Sequence, residues 1–494
     1  MRVAVAYPSS PSIAQLSTSF KFIKTALENE GFLVDGVSMN GIPPRGEETN
    51  APLNSFDYII FTLHYELDYI NMIKMLAYSR IPASSSKRNG FPTVIIGGPP
   101  TLANPEPIAN FVDVVALGDL EELMPRLING LTGKLEEFEE LGGFYVPSLG
   151  KHEVHRVYAD HIEHSPLSLI KVDGSLFGSD ALVEVMRGCP HHCLFCMESY
   201  LNMPVRLGDL SSLSYRIRES GLGRVALVGL SVGDHPGILQ FIDELTESGI
   251  SLSFPSLRVD TLSCDLIKSI IRSGQRTLTI APESSFRLRR MLGKDFSSEE
   301  LIEKARCAFD NGINRIKMYY MVGLPGEQYE DLMQIKLELI EVSRLGSTYV
   351  SVNPWIPKPH TPLQWFPMAG IDELKKRIRI VTRDAREYSF YDPIHATVQA
   401  LLSLGDRDVA AFILDAARIS KDHLDKGDYR RLLAHHPDLL NKYVYAHRRP
   451  GDILPWSHIK VNNEKALESL YWKFINEAGL AVDGNNASTS MAGS

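Results

Sequence analysis

The chain has 494 residues, a formal net charge of −9 and 44% hydrophobic residues, so about two to four globular domains are expected. The acidic balance disfavours a broad, non-specific grip on nucleic acid, and no apolar run reaches the roughly 18 residues that would span a bilayer. Five cysteines argue against a disulfide framework, and the opening strand is broken too soon for a signal peptide, so we expect a soluble, cytoplasmic protein in a reducing setting.

Residues 1–133 alternate strand and helix signals. The apolar runs predict strands at 3–7, 58–63, 93–96 and 114–117, and the stretches between them predict helices at 17–30, 69–78 and 120–128. This alternation is typical of a doubly wound, Rossmann-like α/β domain, whose ligands bind at the carboxyl ends of the strands. The Gly97-Gly98 pair follows such an end, where it indicates either a ligand contact or a tight strand-to-helix turn.

Residues 134–180 have no strong period and are interpreted as a linker region. Its histidines are His152, His155, His161 and His164. Their spacing brings no three of them together on a helix or a hairpin, which disfavours a metal site in the linker.

The segment 181–370 contains six further strand–helix alternations. The predicted strands are 181–186, 224–231, 251–254, 276–280, 315–322 and 349–353. Six such units predict a partial (β/α)6 barrel, since a complete barrel needs eight. Residues 371–483 are predicted to be mostly helical, and the small polar residues of 484–494 predict a disordered tail.

Three cysteines follow the first strand of the predicted barrel, in the run Arg187-Gly-Cys-Pro-His-His-Cys-Leu-Phe-Cys196. Barrel active sites are built on this face. Most [4Fe-4S] clusters take four cysteines, so the spacing C-x3-C-x2-C indicates a cluster with one iron left for another ligand. The alternative is zinc, which usually takes four ligands, and only His191 or His192 is near enough in sequence to complete the set. Cys264 and Cys307 are interpreted as small buried hydrophobes on helix faces, so a second cluster is not expected.

The cysteine run, with the aromatic Phe195 before its last cysteine, resembles the cluster loop of radical S-adenosylmethionine (radical SAM) enzymes. The resemblance implies that Cys189, Cys193 and Cys196 bind a [4Fe-4S] cluster whose open iron takes the amino and carboxylate groups of SAM. It also implies reductive cleavage of SAM to methionine and a 5′-deoxyadenosyl radical, with the protein positioning the cofactors and excluding side reactions.

The same resemblance implies SAM contacts at successive strand ends. Ser231 stands where these enzymes often carry a Gly-Gly-Glu run that binds the SAM amino group, although that run is absent here. Arg258 follows the third strand and is predicted to face a carboxylate, with a surface ion pair as the alternative. Glu283 matches the ribose contact. The turn at Val322-Gly323 resembles the adenine-contacting turn, although Gly-x-Pro-Gly also makes a plain strand-to-helix turn.

Two further features of the barrel belong to this resemblance. One arginine among Arg287, Arg289 and Arg290 is expected to reach the SAM carboxylate, and we name Arg289 as the candidate. The segment 353–362 resembles the Pro-x-Pro-x-Thr-Pro run that ends the barrel in many of these enzymes.

The N-terminal domain resembles the cobalamin (B12)-binding-type domain that precedes many radical SAM barrels, within a largely uncharacterised subgroup. The usual cobalt-ligand motif, Asp-x-His-x-x-Gly, is absent from residues 6–13, which excludes a cobalt ligand from this loop. Some relatives bind cobalamin without a protein ligand, so the cofactor stays compatible with the chain. His64 is the nearest other candidate ligand, with a hydrogen-bonded structural histidine as the favoured interpretation.

The resemblance thus predicts a radical SAM enzyme with an unknown substrate. If cobalamin binds, methyl transfer is the favoured reaction. An electron donor of the flavodoxin or ferredoxin type is expected. Basic stretches at 287–294, 375–386 and 435–449 are compatible with an RNA substrate, but solvated helix faces are favoured given the net charge. The competing hypothesis is a zinc-bearing or catalytically inactive binding protein on the same scaffold.

Overall fold

The computed structural model describes residues 1–14, 16–163, 165–172, 180–421, 423–462 and 464–481. The predicted tail 484–494 and His164 therefore lie outside the described residues. None of the described helices is long and apolar enough to cross a membrane.

The N-terminal unit is a six-stranded sheet in the order β2-β1-β3-β4-β5-β6. Its strands are β1 (Arg2–Ala6), β2 (Leu33–Val37), β3 (Tyr58–Thr62), β4 (Thr93–Gly97), β5 (Val114–Ala116) and β6 (Phe144–Tyr145). The first five strands are parallel, and β6 is antiparallel to β5. The helices are Pro11–Ala14, Thr18–Asn29, Asp68–Tyr78, Pro99–Ala103, Leu120–Leu131 and Glu137–Glu140.

Both faces of this sheet are covered by helices, as the doubly wound prediction requires. Alternate residues of β1 enter two different cores: Val3 and Val5 pack with helices Thr18–Asn29 and Leu120–Leu131, while Ala4 and Ala6 pack with helix Asp68–Tyr78. Sequence analysis overlooked β2, because its central Asp35-Gly36 is unfavourable in a strand.

The carboxylate of Asp35 is buried in β2, where it would be costly without partners. It accepts hydrogen bonds from the backbone N–H groups of Glu48 at 3.0 Å and Thr49 at 3.1 Å. A loop 13 residues further along the chain therefore satisfies the strand's polar residue.

The second unit is an open, partial barrel made of two four-stranded sheets. The strands after β6 are, in chain order, β7 (Val154–His155), β8 (Leu169–Lys171), β9 (Ala181–Glu184), β10 (Met186–Arg187), β11 (Arg206–Leu207), β12 (Arg224–Val228), β13 (Ser251–Ser253), β14 (Thr277–Glu283), β15 (Arg315–Val322), β16 (Ser347–Pro354), β17 (Tyr388–Phe390) and β18 (Ile459–Lys460). Of these, β10 pairs with β11 and β7 pairs with β18, outside the two barrel sheets. The sheets run β13-β12-β9-β8 and β14-β15-β16-β17, and a parallel bridge between Leu257 and Ile280 joins them. The six predicted strands are all present, and the predicted partial barrel is confirmed.

Helices cover the outside of this barrel and build the C-terminal region. Those of the barrel are Met197–Leu201, Leu210–Glu219, Ile238–Glu247, Cys264–Arg272, Phe286–Met291, Ser298–Asp310 and Tyr329–Leu345. Those of the C-terminal region are Ile371–Thr382, Pro393–Leu404, Ala410–Ala417, Lys426–His435, Pro437–Leu439 and Glu464–Ala478. Ser297 caps Ser298–Asp310 through a capping box with Glu300, as its sequence suggests.

The linker and the C-terminal region contain strands that periodicity did not reveal. The linker supplies β6 to the N-terminal sheet and β8 to the barrel, while β7 pairs with the distant β18. In the C-terminal region, β17 extends the barrel sheet beyond β16. These strands have only two or three residues, too few for a periodic signal.

The interpretation of Cys264 and Cys307 as separate buried hydrophobes is wrong. The two residues form a disulfide, with Cα atoms 6.2 Å apart. Cys264 begins helix Cys264–Arg272, Cys307 lies in helix Ser298–Asp310, and the two helices pack together on the outside of the barrel. A separation of 43 residues hides this contact from sequence analysis.

Candidate active site

The three cysteines lie on a tight loop between β10 and β11. Gly188 opens it with φ +83°, and a Cβ there would come within 2.7 Å of the backbone oxygen of Asn202, so the loop requires glycine. Cys189 and Cys193 are buried, Cys196 is partly exposed, and the Cys196 N–H donates to the Cys193 oxygen at 3.0 Å. The loop thus places the three cysteines beyond the carboxyl end of the first barrel strand.

Two other barrel loops hold the cysteine loop in place. The Leu194 N–H donates to the Leu292 oxygen at 3.1 Å, and Gly293 packs so closely that a Cβ would lie 3.4 Å from the Cys193 Cα. Arg258, which follows β13, donates from Nη1 to the Cys193 Sγ at 3.0 Å and from Nη2 to the Gly293 oxygen at 3.0 Å.

Arg258 pairs with a carboxylate of its own chain, and its predicted contact with a ligand carboxylate stays a prediction. Its Nη2 lies 2.6 Å from Oδ2 of Asp260. The arginine is only 8% exposed, so the alternative of a surface ion pair does not hold. Through its hydrogen bond to the Cys193 Sγ, Arg258 supports the cysteine loop.

Burial controls the protonation of the thiols. It raises the pKa of Cys196 to about 11, and it raises the pKa of Cys193 although the charges of Lys294 and Arg258 oppose it. Metal binding at these positions must therefore displace protons. Three sulfur donors on one fixed loop fit an iron–sulfur cluster, whose irons are each bound by one cysteine. Within the described ranges, no three His, Cys, Asp or Glu side chains converge on a position for a single metal ion.

Ser231 lies beside this loop. Its hydroxyl donates to Asp234, whose Oδ2 is also 2.6 Å from Nε2 of His191 in the cysteine run. A short network of side chains therefore joins the end of β12 to the loop. Phe195 is partly buried and packs against the main hydrophobic core, which fixes the stretch before Cys196.

Glu283 ends β14 in a strained conformation, with φ +70° in a non-glycine residue. Its Oε1 lies 3.0 Å from Nζ of Lys294, which also donates to the Ala281 oxygen at 2.7 Å. Lys294 directly follows Gly293, so the predicted ribose contact is coupled to the turn that supports Cys193.

The predicted adenine-contacting turn is a backbone feature. The side chain of Val322 is fully buried, so only its backbone remains for a ligand. Gly323 has φ +84°, and its N–H donates to Oε2 of Glu327 at 2.9 Å. Burial raises the pKa of Glu327 to about 7, although the Gly323 N–H and Arg377 oppose the shift. Sequence analysis did not single out Glu327, whose burial is visible only in the structure.

The assignment of Arg289 to the SAM carboxylate is wrong. Its side chain is completely buried and forms two hydrogen bonds with Glu338, at 2.7 and 3.0 Å. The Phe296 and Ser284 oxygens accept from the same guanidinium at 3.0 and 3.1 Å. Because other groups of the chain surround the guanidinium, Arg289 forms a structural ion pair with Glu338. Of its neighbours, Arg287 pairs with Asp331, and Arg290 is exposed.

A network of charges that sequence analysis did not detect joins the N-terminal domain to the barrel. Asp119, just after β5, lies 2.9 Å from Arg156, 2.5 Å from Arg206 and 3.3 Å from Arg187. Burial opposes ionisation of Asp119, but these arginines lower its pKa below the usual value. Arg187 immediately precedes Gly188, so this network anchors the start of the cysteine loop.

A cavity of about 500 Å³ separates the carboxyl edge of the N-terminal sheet from the barrel. Its lining is mostly apolar and includes Gly97 and Gly98 on one side and Met186 and Leu230 on the other. Gly98 is also a tight turn, since a Cβ would lie 1.8 Å from the Leu63 oxygen. The volume falls in the range of small-molecule sites, about 300–1,000 Å³.

His64 lines the same cavity. Its Nε2 is 2.9 Å from the hydroxyl of Ser17, the residue that caps helix Thr18–Asn29. Burial lowers the pKa of His64, so the imidazole is neutral at pH 7. These contacts support the interpretation of a hydrogen-bonded structural histidine.

Comparison with known proteins relates both units to one superfamily. The family model described as the radical SAM superfamily matches residues 183–339, and the model described as radical SAM proteins, N-terminal, matches residues 34–147. An uncharacterized protein of Methanocaldococcus jannaschii is 32% identical over 376 residues, which cover 73% of this chain and 80% of the relative. An uncharacterized methyltransferase of Pyrococcus horikoshii is 23% identical over 358 residues, covering 67% of this chain and 74% of the relative.

A solved structure has a similar fold. It is the radical SAM methyltransferase TsrM of Kitasatospora setae with cobalamin and a [4Fe-4S] cluster bound. The TM-score is 0.50 at 12% identity, covering 89% of this chain and 98% of the other. This likeness concerns the fold of both units.

Proposed function

This chain belongs to the radical SAM superfamily, and we propose that it is an enzyme that cleaves SAM reductively to modify a substrate held at the mouth of the barrel. One observation carries the proposal. The loop with Cys189, Cys193 and Cys196 is fixed at the carboxyl-end face of the barrel by Arg258 and Gly293. Contacts from two other barrel loops hold the cysteine loop in place, which a functional site requires.

The chain's own residues have distinct tasks in this proposal. When bound, a [4Fe-4S] cluster supplies the electron that breaks a C–S bond of SAM, which yields methionine and a 5′-deoxyadenosyl radical. The three thiols hold the cluster, and the Arg258 guanidinium stabilises negative charge at Cys193. Ser231, Glu283 and the backbone of the Val322-Gly323 turn are the proposed SAM contacts, because they lie at three further strand ends on the same face.

Cobalamin-dependent methyl transfer is the reaction that we propose within this class. The cavity between the sheet and the barrel is bounded by the N-terminal domain on one side and by the strand that leads to the cysteine loop on the other. A cofactor there would contact both units. The name of the Pyrococcus relative and the contents of the TsrM structure support this choice. With no histidine in the loop after β1 and with His64 bonded to Ser17, the proposed binding mode uses no cobalt ligand from the protein.

The electron must come from outside the chain. We propose a small reducing protein of the flavodoxin or ferredoxin type, in the cytoplasm, as the donor. An RNA substrate is not favoured by the net charge of −9.

The test is an anaerobic reconstitution of the full-length chain with iron and sulfide. Iron per chain is counted, and 5′-deoxyadenosine is then measured after addition of SAM and dithionite, with and without cobalamin. The decisive variant is Cys193→Ala, for which we expect loss of the cluster and of SAM cleavage. The matched control is Cys264→Ala with Cys307→Ala, because this pair lies on the outer helices and should leave the iron content unchanged.

About four irons per chain and 5′-deoxyadenosine in the wild type support radical chemistry. Binding of cobalamin together with formation of S-adenosylhomocysteine supports methyl transfer. Zinc in place of iron with intact SAM would favour the competing hypothesis of a binding protein. Wild-type SAM cleavage by Cys193→Ala would overturn the site assignment.

A further inference from the structure

The inner face of the open barrel carries a lysine in the middle of a strand. In β15, fully buried residues such as Met318 and Tyr320 alternate with half-buried ones. The buried set faces the outer helices, since the Tyr320 hydroxyl donates to Glu338 of helix Tyr329–Leu345 at 3.0 Å. The alternate set, which includes Lys317, faces the concave interior, because successive side chains of a strand point to opposite faces.

Aromatic rings flank the ammonium group of Lys317. Its Nζ lies 5.1 Å from the ring centroid of Tyr319 and 5.4 Å from that of Tyr349. Both distances are within the range of cation–π interactions. Tyr349 is the register partner of Lys317 on β16, and Thr279 is its partner on β14. Ring faces position the ammonium without neutralising its charge.

No carboxylate of the described residues pairs with this cation. Among the described residues, Lys317 forms no ion pair and no hydrogen bond, whereas Arg315, the previous inner-face residue of β15, lies 2.9 Å from Glu387. A half-buried charge is partly desolvated, and an anion that replaces the lost water is favourable. On the inner face of β15, as far as the structure describes it, Arg315 is therefore neutralised by Glu387 and Lys317 is left for a ligand.

The distance from Lys317 to the mouth of the barrel follows from its position along β15. Met321 lies on the same inner face four residues nearer the carboxyl end of β15, which corresponds to about 13 Å at the rise of a strand. The hydroxyls of Thr279 and Ser351 belong to inner-face positions on the two neighbouring strands. A molecule that reaches from the mouth to Lys317 is therefore elongated, and it passes the level of Ser351 before it reaches that of Thr279 and Lys317.

We propose that Lys317 binds the anionic group, a carboxylate or a phosphate, of an elongated small-molecule substrate whose reacting carbon lies at the barrel mouth. The reaction at the mouth rests on the proposed function, but the anion site does not. Lys317 is then a specificity-determining residue that sets which end of the substrate enters the barrel.

Affinity labelling with pyridoxal 5′-phosphate tests the site on the reconstituted full-length protein. The aldehyde condenses with a lysine amine and releases water, borohydride reduces the imine, and peptide mass spectrometry locates the label. We expect Lys317 to be labelled several-fold faster than Lys473, an exposed lysine near Glu477, and we expect an added anion to protect Lys317 alone. Protection by inorganic phosphate indicates a phosphate site, and protection by glutarate indicates a carboxylate site.

Equal labelling of Lys317 and Lys473, or no protection by either anion, would overturn the proposal. Protection by an RNA oligonucleotide but by neither small anion would overturn it as well. As a second measurement, broadening of the phosphate signal in phosphorus NMR should disappear in Lys317→Met and persist in Lys317→Arg and Lys473→Met. The same wild-type preparation is assayed for 5′-deoxyadenosine. Failure of SAM cleavage with intact labelling refutes only the proposed function, and uniform labelling with intact SAM cleavage refutes only the anion site.

Discussion

The Nη1 of Arg258 donates a hydrogen bond to the Sγ of Cys193 across 3.0 Å, although the two residues are 65 positions apart in the chain. The same guanidinium binds the Gly293 oxygen and Asp260. A permanent positive charge therefore lies against one thiol of the cysteine loop and is itself fixed by a second loop.

We expect Arg258→Gln to make the reduction potential of the bound cluster more negative. Reduction adds negative charge, and potentials of iron–sulfur clusters depend on net charge and on hydrogen bonds to the sulfurs. The expected shift is roughly 60 mV, equivalent to about 1.4 kcal/mol for one electron. An anaerobic redox titration followed by electron paramagnetic resonance measures it at equal iron content. Arg272→Gln, an exposed arginine paired with Asp243, is the control and should not shift the potential. An unchanged or raised potential in Arg258→Gln would contradict the role of this contact.

Gly188→Ala should reduce the amount of cluster that the protein can hold. The substitution adds a Cβ 2.7 Å from the Asn202 oxygen in a residue with φ +83°, so the loop must shift. Gly249→Ala is the matched control, since Gly249 has φ +79° and no atom of the described residues lies within 4 Å of the added Cβ. Iron per folded chain should fall in the first variant and stay at the wild-type level in the second. Equal iron contents would show that the loop tolerates the clash.

Glu338→Ala should destabilise the protein by about 3–5 kcal/mol, because it leaves the buried Arg289 charge without its partner. Glu341→Ala removes an exposed partner of Arg344 on the same helix and should cost at most about 1 kcal/mol. Urea denaturation compares the two variants.

The complementary variant is Arg289→Met with Glu338→Leu, which removes both charges and should regain part of the stability. If this double variant folded normally and lost SAM binding, Arg289 would be a SAM ligand after all.

Because of Glu327, we expect the free energy of unfolding to fall as the pH rises from about 4.5 to about 7. Burial raises its pKa to about 7 in the folded chain, whereas an unfolded glutamate titrates near about 4.3. Between these pH values the folded state keeps a proton that the unfolded state has lost. The free energy of unfolding therefore falls as the pH rises, by up to about 1.4 kcal/mol per pH unit. Above about pH 7 both states are ionised and this contribution is constant.

Glu327→Gln should remove this slope, since glutamine stays neutral and its oxygen can still accept from the Gly323 N–H. Glu330→Gln, at an exposed position of the next turn, should keep the wild-type profile. Denaturation midpoints measured at pH 5, 6, 7 and 8 decide the matter. A wild-type slope in Glu327→Gln would assign the pH dependence to another group.

The sequence by itself determined the features that depend on local spacing. Apolar-rich runs predicted the six barrel strands, because about every second residue of such a strand is buried against the outer helices. The spacing of Cys189, Cys193 and Cys196 located the candidate site, because three residues within one short loop need no distant contact to come together.

Only the tertiary structure decided which partner each charged or sulfur-bearing residue has. Arg289 resembled a ligand-binding arginine in the sequence, but Glu338, 49 residues away, neutralises it. Cys264 is bonded to Cys307, and Arg258 donates to Cys193. Lys317 lies beside two aromatic rings and, among the described residues, beside no acid that pairs with it. The physical reason is that the energy of a buried charge depends on every group within a few ångströms, and packing brings these groups together from distant parts of the chain.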